Sequence, residues 1–172
     1  VGAGTWKQPV YFACTVYPGT LKKLCTEPLT LEGMLYRVGG QPASGAGSHP
    51  ARPTGEETFV DAARTDSLLT HQFRLQSATQ LGYAWDPESS VAMLQWNYIQ
   101  VWQRTATAYA EAGNMAGARR MLRDGVAMLR AHPELRGTER DYLEPILEYW
   151  KQIDPENPEV DALIREVGQG AR

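Results

Sequence analysis

The chain has little from which to build a reactive centre. It contains two cysteines and three histidines among 172 residues. Cys14 and Cys25 have ten residues between them and no matching His or Cys pair, which is not the spacing of a metal site. In an oxidising compartment they could close a disulfide contributing about 3 kcal/mol. Two buried free thiols are the plainer expectation. His71 and His132 lie far apart without acidic neighbours at useful spacing, and His49 stands alone in a Gly/Pro-rich stretch. The nucleophile elbow, the Walker-type loop, HExxH and CxxC are all missing. Gly39, Gly40, Gly45 and Gly47 precede no helix N-terminus and cradle no phosphate. Glu144 and Glu148 stand four apart, but with no facing cleft in view they read as a solvated helix face. No catalytic residue, cofactor or metal is expected.

Long apolar runs are absent too. None approaches the ~18 residues that a membrane-spanning helix needs. Nor is positive charge concentrated. Seventeen Lys and Arg face twenty Asp and Glu, a net charge of −3, which gives no electrostatic case for nucleic acid. Arg119, Arg120, Arg123 and Arg130 do cluster, on a helix that also carries Asp124, and read as a solvated face. The chain opens on Val1-Gly2-Ala3-Gly4 without a signal peptide, just before a strong strand, and is expected to be a domain of a larger protein.

What is present is an ordinary globular composition, 42% hydrophobic and 22% charged, in a length suited to one domain or two small ones. Residues 9–17 (PVYFACTVY) are β-branched and aromatic between Pro9 and Pro18-Gly19, and predict a strand. Residues 21–25 allow one helical turn, and residues 31–38 (LEGMLYRV) predict a second strand. The composition then changes. Residues 39–55 hold five Gly, three Pro and no large apolar side chain, and read as a mobile loop or linker. Short extended pieces are expected at residues 58–61 and 73–75, with Asp66 capping a brief turn through Leu69.

From Asp86 a helical pattern takes over. Asp86-Pro87-Glu88 supplies a cap, a proline at the first position and an acid in the first turn. Val91, Leu94, Tyr98, Val101, Trp102, Thr105 and Tyr109 then recur every three or four residues. Gly113-Asn114 predicts a left-handed C-cap. A second helix over about residues 115–130 buries Ala118, Met121, Leu122, Gly125, Val126 and Leu129, and His132-Pro133 ends it. A third spans about residues 138–153, where Pro145 is awkward, since proline inside a helix costs about 3 kcal/mol. Asn157-Pro158-Glu159 opens a fourth. The fold class expected is α+β, mostly α: a strand-rich segment over residues 1–38, the linker at 39–55, and a mainly helical region over 56–172.

The first two helices carry the spacing of a tetratricopeptide repeat. Trp102, Ala106, Tyr109, Ala118 and Leu122 occupy its Trp, small, Tyr, Ala and Phe positions. Small residues let two antiparallel helices approach, and the aromatics fill the space beside them. Gly125 replaces the usual second alanine and Pro133 comes three residues late. The groove-facing positions of the first helix would be Gln100, Gln103, Thr107, Ala110 and Glu111. They lack the Lys, Arg and Asn that clamp a peptide carboxylate, so intramolecular packing is the stronger reading and a peptide groove the weaker. Trp6, Trp85 and Trp96 read as core or lining residues before sugar platforms.

Residues 6–15 (WKQPVYFACT) followed by residues 31–38 resemble the bacterial integral-membrane protein O-mannosyltransferase-like family, which is glycosyltransferase-like. There a W-[KR]-R-P-[IV]-Y-F-A-x-T strand follows the membrane region and an E-G-[LM]-x-Y-R-[LV] segment comes next. Asn97-Tyr98 and the Gly113-Asn114 to Ala118 hairpin match a later helical region. Gln8 stands where Arg is usual, Gly39 where Leu or Val and then Pro often follow, and residues 39–55 look inserted. The resemblance implies a soluble C-terminal tail on the extracytoplasmic, periplasmic side of the membrane. The family's catalytic acid would lie in the membrane domain, outside this chain. Implied partners are the chain's own membrane domain or an acceptor protein, with no nucleic acid. The alternative is a free-standing periplasmic adaptor that binds peptide; an enzyme in its own right is a third.

Overall fold

The structure is a computed structural model and describes residues 9–39, 48–50, 58–73, 90–131 and 139–169. The fold is α+β and mostly α, as the sequence pattern predicts. Among the described residues five short strands and six helices follow one another as β1 (Tyr11–Ala13), α1 (Pro18–Leu24), β2 (Leu29–Glu32), β3 (Leu35–Val38), β4 (Ser48–Pro50), β5 (Thr58–Asp61), α2 (Ala62–His71), α3 (Ser90–Glu111), α4 (Met115–Ala131), α5 (Glu139–Ile153) and α6 (Pro158–Gln169). They divide between two compact units, residues 1–74 with 104–118, and residues 75–103 with 119–172.

In the first unit the strands form one mixed sheet, in the order β1-β3-β2-β5-β4. β2 and β5 run parallel; the other neighbours are antiparallel. Residues 31–38 are therefore a tight hairpin and not one strand. Glu32 pairs with Leu35 across a two-residue turn whose first residue, Gly33, has φ +62°. A glycine at that position is what a type II′ hairpin turn demands. The strand expected over residues 9–17 is shorter, because Val16 N–H turns back to Ala13 O at 3.0 Å. Pro18 then opens α1, whose Leu21 is fully buried. Residues 48–50, within the Gly/Pro-rich stretch, form the β4 edge strand.

Leu31, Tyr36 and Val60 are cross-strand partners on one face of the sheet and are each only 1% exposed. They form the core with Leu21, Leu29, Ala62 and Leu69. α2 is capped by Asp61, whose Oδ1 accepts from Arg64 N–H at 2.9 Å. Asp66, expected to cap, lies inside the helix and is buried. Thr65 ties α2 to the hairpin. Its hydroxyl accepts from Gly33 N–H at 3.0 Å and donates to Leu31 O at 3.1 Å.

α3 and α4 are joined by the expected left-handed turn. Gly113 has φ +75°, Asn114 N–H reaches Tyr109 O at 2.8 Å and Gly113 N–H reaches Ala110 O at 2.9 Å. That pair of bonds is a Schellman cap. Asn114 Oδ1 in turn accepts from Gly117 N–H at 2.9 Å and starts α4. The Asp86-Pro87-Glu88 cap and the His132-Pro133 stop lie outside the described residues. In the second unit α5 continues through Pro145, and Ile146, Leu147 and Trp150 are buried behind it. α6 begins as predicted: Asn157 Oδ1 accepts from Glu159 N–H at 3.0 Å, with Pro158 between them.

Candidate functional site

The residues at the tetratricopeptide-like positions are spent on packing. Trp102, Ala106, Tyr109, Ala118 and Leu122 are each no more than 8% exposed. Gly125 explains the departure from a second alanine. A Cβ there would meet Ile146 Cδ1 at 3.0 Å and Trp102 Cβ at 3.5 Å, so the missing methyl makes room for both side chains.

The weak-groove residues all lie on α3, at spacings of three, four and four, so they recur along one stripe of the helix. Gln100 and Gln103 are half-buried in the second unit; Thr107 is half-buried and Glu111 exposed in the first. Gln103 and Thr107 have interactions of their own. Trp6, Trp85, His132 and the side chain of Trp96 lie outside the description. His71 is exposed at the end of α2.

The main concentration of polar chemistry lies elsewhere, in the second unit. A depression of about 400 Å³ is lined by Arg119, Arg123, Asp154, Glu156, Asn157, Pro158 and Glu159. Arg119 forks onto Asp154 with bonds of 2.6 and 2.9 Å, and Asn157 Nδ2 donates to the same carboxylate at 2.7 Å. One turn on, Arg123 forks onto Glu159 at 2.9 and 2.7 Å. Lys151 reaches Asp161 at 2.6 Å. The Arg119 hydrogen bonds hold the Asp154 carboxyl below the usual carboxylate range against its burial, and Arg123 does the same for Glu159. Of the arginines read as a solvated face, Arg119 and Arg123 are thus at the surface but committed to carboxylates. Sequence reasoning missed this because the partners lie 35 and 36 positions away, beyond any helical spacing.

Smaller polar groups occupy the first unit, among them the Arg37–Glu32 ion pair. Asp66 accepts from Tyr109 OH at 2.8 Å and from Thr70 Oγ1 at 3.2 Å. Arg104 donates to Tyr36 OH. Both Cys14 and Cys25 are free thiols; Cys25 is buried and points at Leu21 O at 3.3 Å. Burial pushes the Cys14 thiol up despite the Arg104 charge, which makes it a poor nucleophile.

Chemically, these groups hold helices together. A guanidinium already forked onto a carboxylate has its strongest donors occupied. Among the described residues no three His, Cys, Asp or Glu side chains gather to hold a metal ion, and no helix is long and apolar enough to cross a membrane. No family model matches the chain, and neither does any curated protein or solved structure.

Proposed function

We propose that this chain is a non-catalytic extracytoplasmic domain at the C-terminal end of a membrane-embedded glycosyltransferase-like protein. It docks on the membrane domain or presents an acceptor protein to it. The observation that carries this reading is that the two motif segments behind the family resemblance are partners in one sheet. Tyr11, Phe12 and Ala13 pair with Arg37, Tyr36 and Leu35. The ladder extends at both ends, through Val38 N–H to Val10 O at 3.0 Å and Cys14 N–H to Met34 O at 2.9 Å. Two sequence signatures separated by residues 16–30 thus build one local structure. The helical residues support a non-catalytic role, since their aromatic and arginine side chains serve packing and ion pairing.

The test is calorimetric titration of the folded chain with the detergent-solubilised membrane region of the full reading frame, and separately with acceptor peptides and glycans. Saturable binding to the membrane region, without transferase or hydrolase turnover by the chain alone, is the expected result. Binding to free peptide alone would favour a periplasmic adaptor. Turnover by the isolated chain would overturn the non-catalytic assignment.

A further inference from the structure

α6 is attached to its unit differently from the helices before it. Along α4 and α5, Met121, Leu122, Val126, Ile146, Leu147 and Trp150 are all buried, none more than 4% exposed. Among the residues of α6 whose side chains are described, Val160 alone is fully buried, Leu163 is half-buried and Ile164 is 39% exposed. What α6 has instead is charge. Glu159 takes the Arg123 fork, and Asp161 takes Lys151 from α5. All four side chains are more than a third exposed, at 55% and 38% for the first pair and 36% and 50% for the second.

We propose that α6 is a salt-releasable cap, held on its unit by exposed ion pairs more than by apolar burial, and able to undock while α4 and α5 stay folded. Pairs this exposed are screened as the Debye length falls from about 10 Å at 0.1 M salt to about 3 Å at 1 M. The turn before α6 is anchored differently. Asp154 is only 6% exposed and is held by Arg119 and Asn157 together. Arg119 is itself 47% exposed, so screening reaches the hinge as well, but the burial of Asp154 and its bond from Asn157 leave the hinge weakened less than α6. Local opening below the global unfolding free energy is the expected behaviour of a segment with few buried apolar contacts. Undocking would uncover the side of α5 on which α6 packs.

Native-state amide hydrogen exchange on the whole chain, in about 0.02 M and about 0.5 M NaCl, tests this. The α6 amides are expected to exchange about ten-fold faster at the higher salt, while amides around Met121 and Leu122 change by less than about two-fold. The R123Q/K151Q/E159Q/D161N variant, which removes both pairs at unchanged net charge, should exchange rapidly in α6 at low salt and respond little to added salt. Exchange of α6 in step with α4, or indifference of α6 to salt, would overturn the proposal. So would parent-like α6 protection in the charge-neutral variant. Should that variant lose α4 protection as well, it has unfolded globally, and the salt series on the parent chain decides.

Discussion

Gly33 and Gly113 share a positive φ but not a neighbourhood, and that difference separates two substitutions that look alike in the sequence. At Gly113 an added Cβ would meet nothing within 4 Å. Gly113→Ala should therefore cost about 1 kcal/mol, the left-handed penalty alone. At Gly33 the same Cβ would sit 2.6 Å from Phe73 Cε2 and 3.0 Å from Leu68 Cδ1. Gly33→Ala adds this overpacking to the backbone penalty and should cost about 2–4 kcal/mol. Urea unfolding of both variants checks the ranking; equal losses would mean that Phe73 and Leu68 give way freely. Thr65→Val probes the same corner from the other side. It leaves Gly33 N–H and Leu31 O without the hydroxyl that serves both, at about 2–4 kcal/mol. None of this was legible in the sequence. In the sequence Gly33 falls inside the strand predicted over residues 31–38, and Thr65 belongs to no motif. The positive φ and the long-range hydroxyl appear only once the hairpin lies against α2.

Helix ends were the most legible elements, because their chemistry is local. Gly113-Asn114 and Asn157-Pro158 satisfy orphaned helix-end groups within a few residues, and both behave as the sequence predicts. Interactions between elements were hidden, and the carboxylates of the second unit are the main case. Asp154 and Glu159 are held below their ordinary values of 3.8 and 4.5 by Arg119 and Arg123. A lowered folded value means the ionised form is favoured by folding. The stabilisation is thus complete above the ordinary carboxylate range and is lost as pH falls through the folded values. The melting temperature should be level from about pH 7 to about pH 5.5 and should fall steeply below about pH 4.5, as the linkage requires. In Asp154→Asn/Glu159→Gln the neutral-pH melting temperature drops and the acid slope becomes shallower. An unchanged acid slope, followed by circular dichroism, would place the acid sensitivity in other carboxylates.

At the scale of the whole molecule, composition and periodicity were enough to give an α+β fold dominated by helices. They could not show that residues 104–118 group with the sheet and residues 75–103 with 119–172. Such grouping depends on contacts between residues far apart in sequence, and helical periodicity carries no information about them. The candidate site was the least legible part, since the groove residues followed from repeat spacing while the charged depression followed from no spacing at all. Its charge balance leads to a prediction about the molecule as a ligand for polyanions. Nucleic-acid affinity comes from cations free to displace counterions. Here the net charge is −3, and Arg119 and Arg123 are forked onto Asp154 and Glu159. Bringing a phosphate to either arginine would mean breaking a bidentate pair in a depression that a further acid, Glu156, also lines. Duplex DNA should therefore go unretarded in a mobility-shift assay, with any dissociation constant weaker than about 10⁻⁴ M at 0.15 M salt. Replacing both acceptors, Asp154→Asn with Glu159→Gln, raises the net charge by two and releases the arginines. That variant should show weak, salt-dependent retardation at low ionic strength that the parent lacks. Micromolar binding by the parent chain would mean that the arginine face is available after all, and that the ion pairs seen here yield to a competing anion.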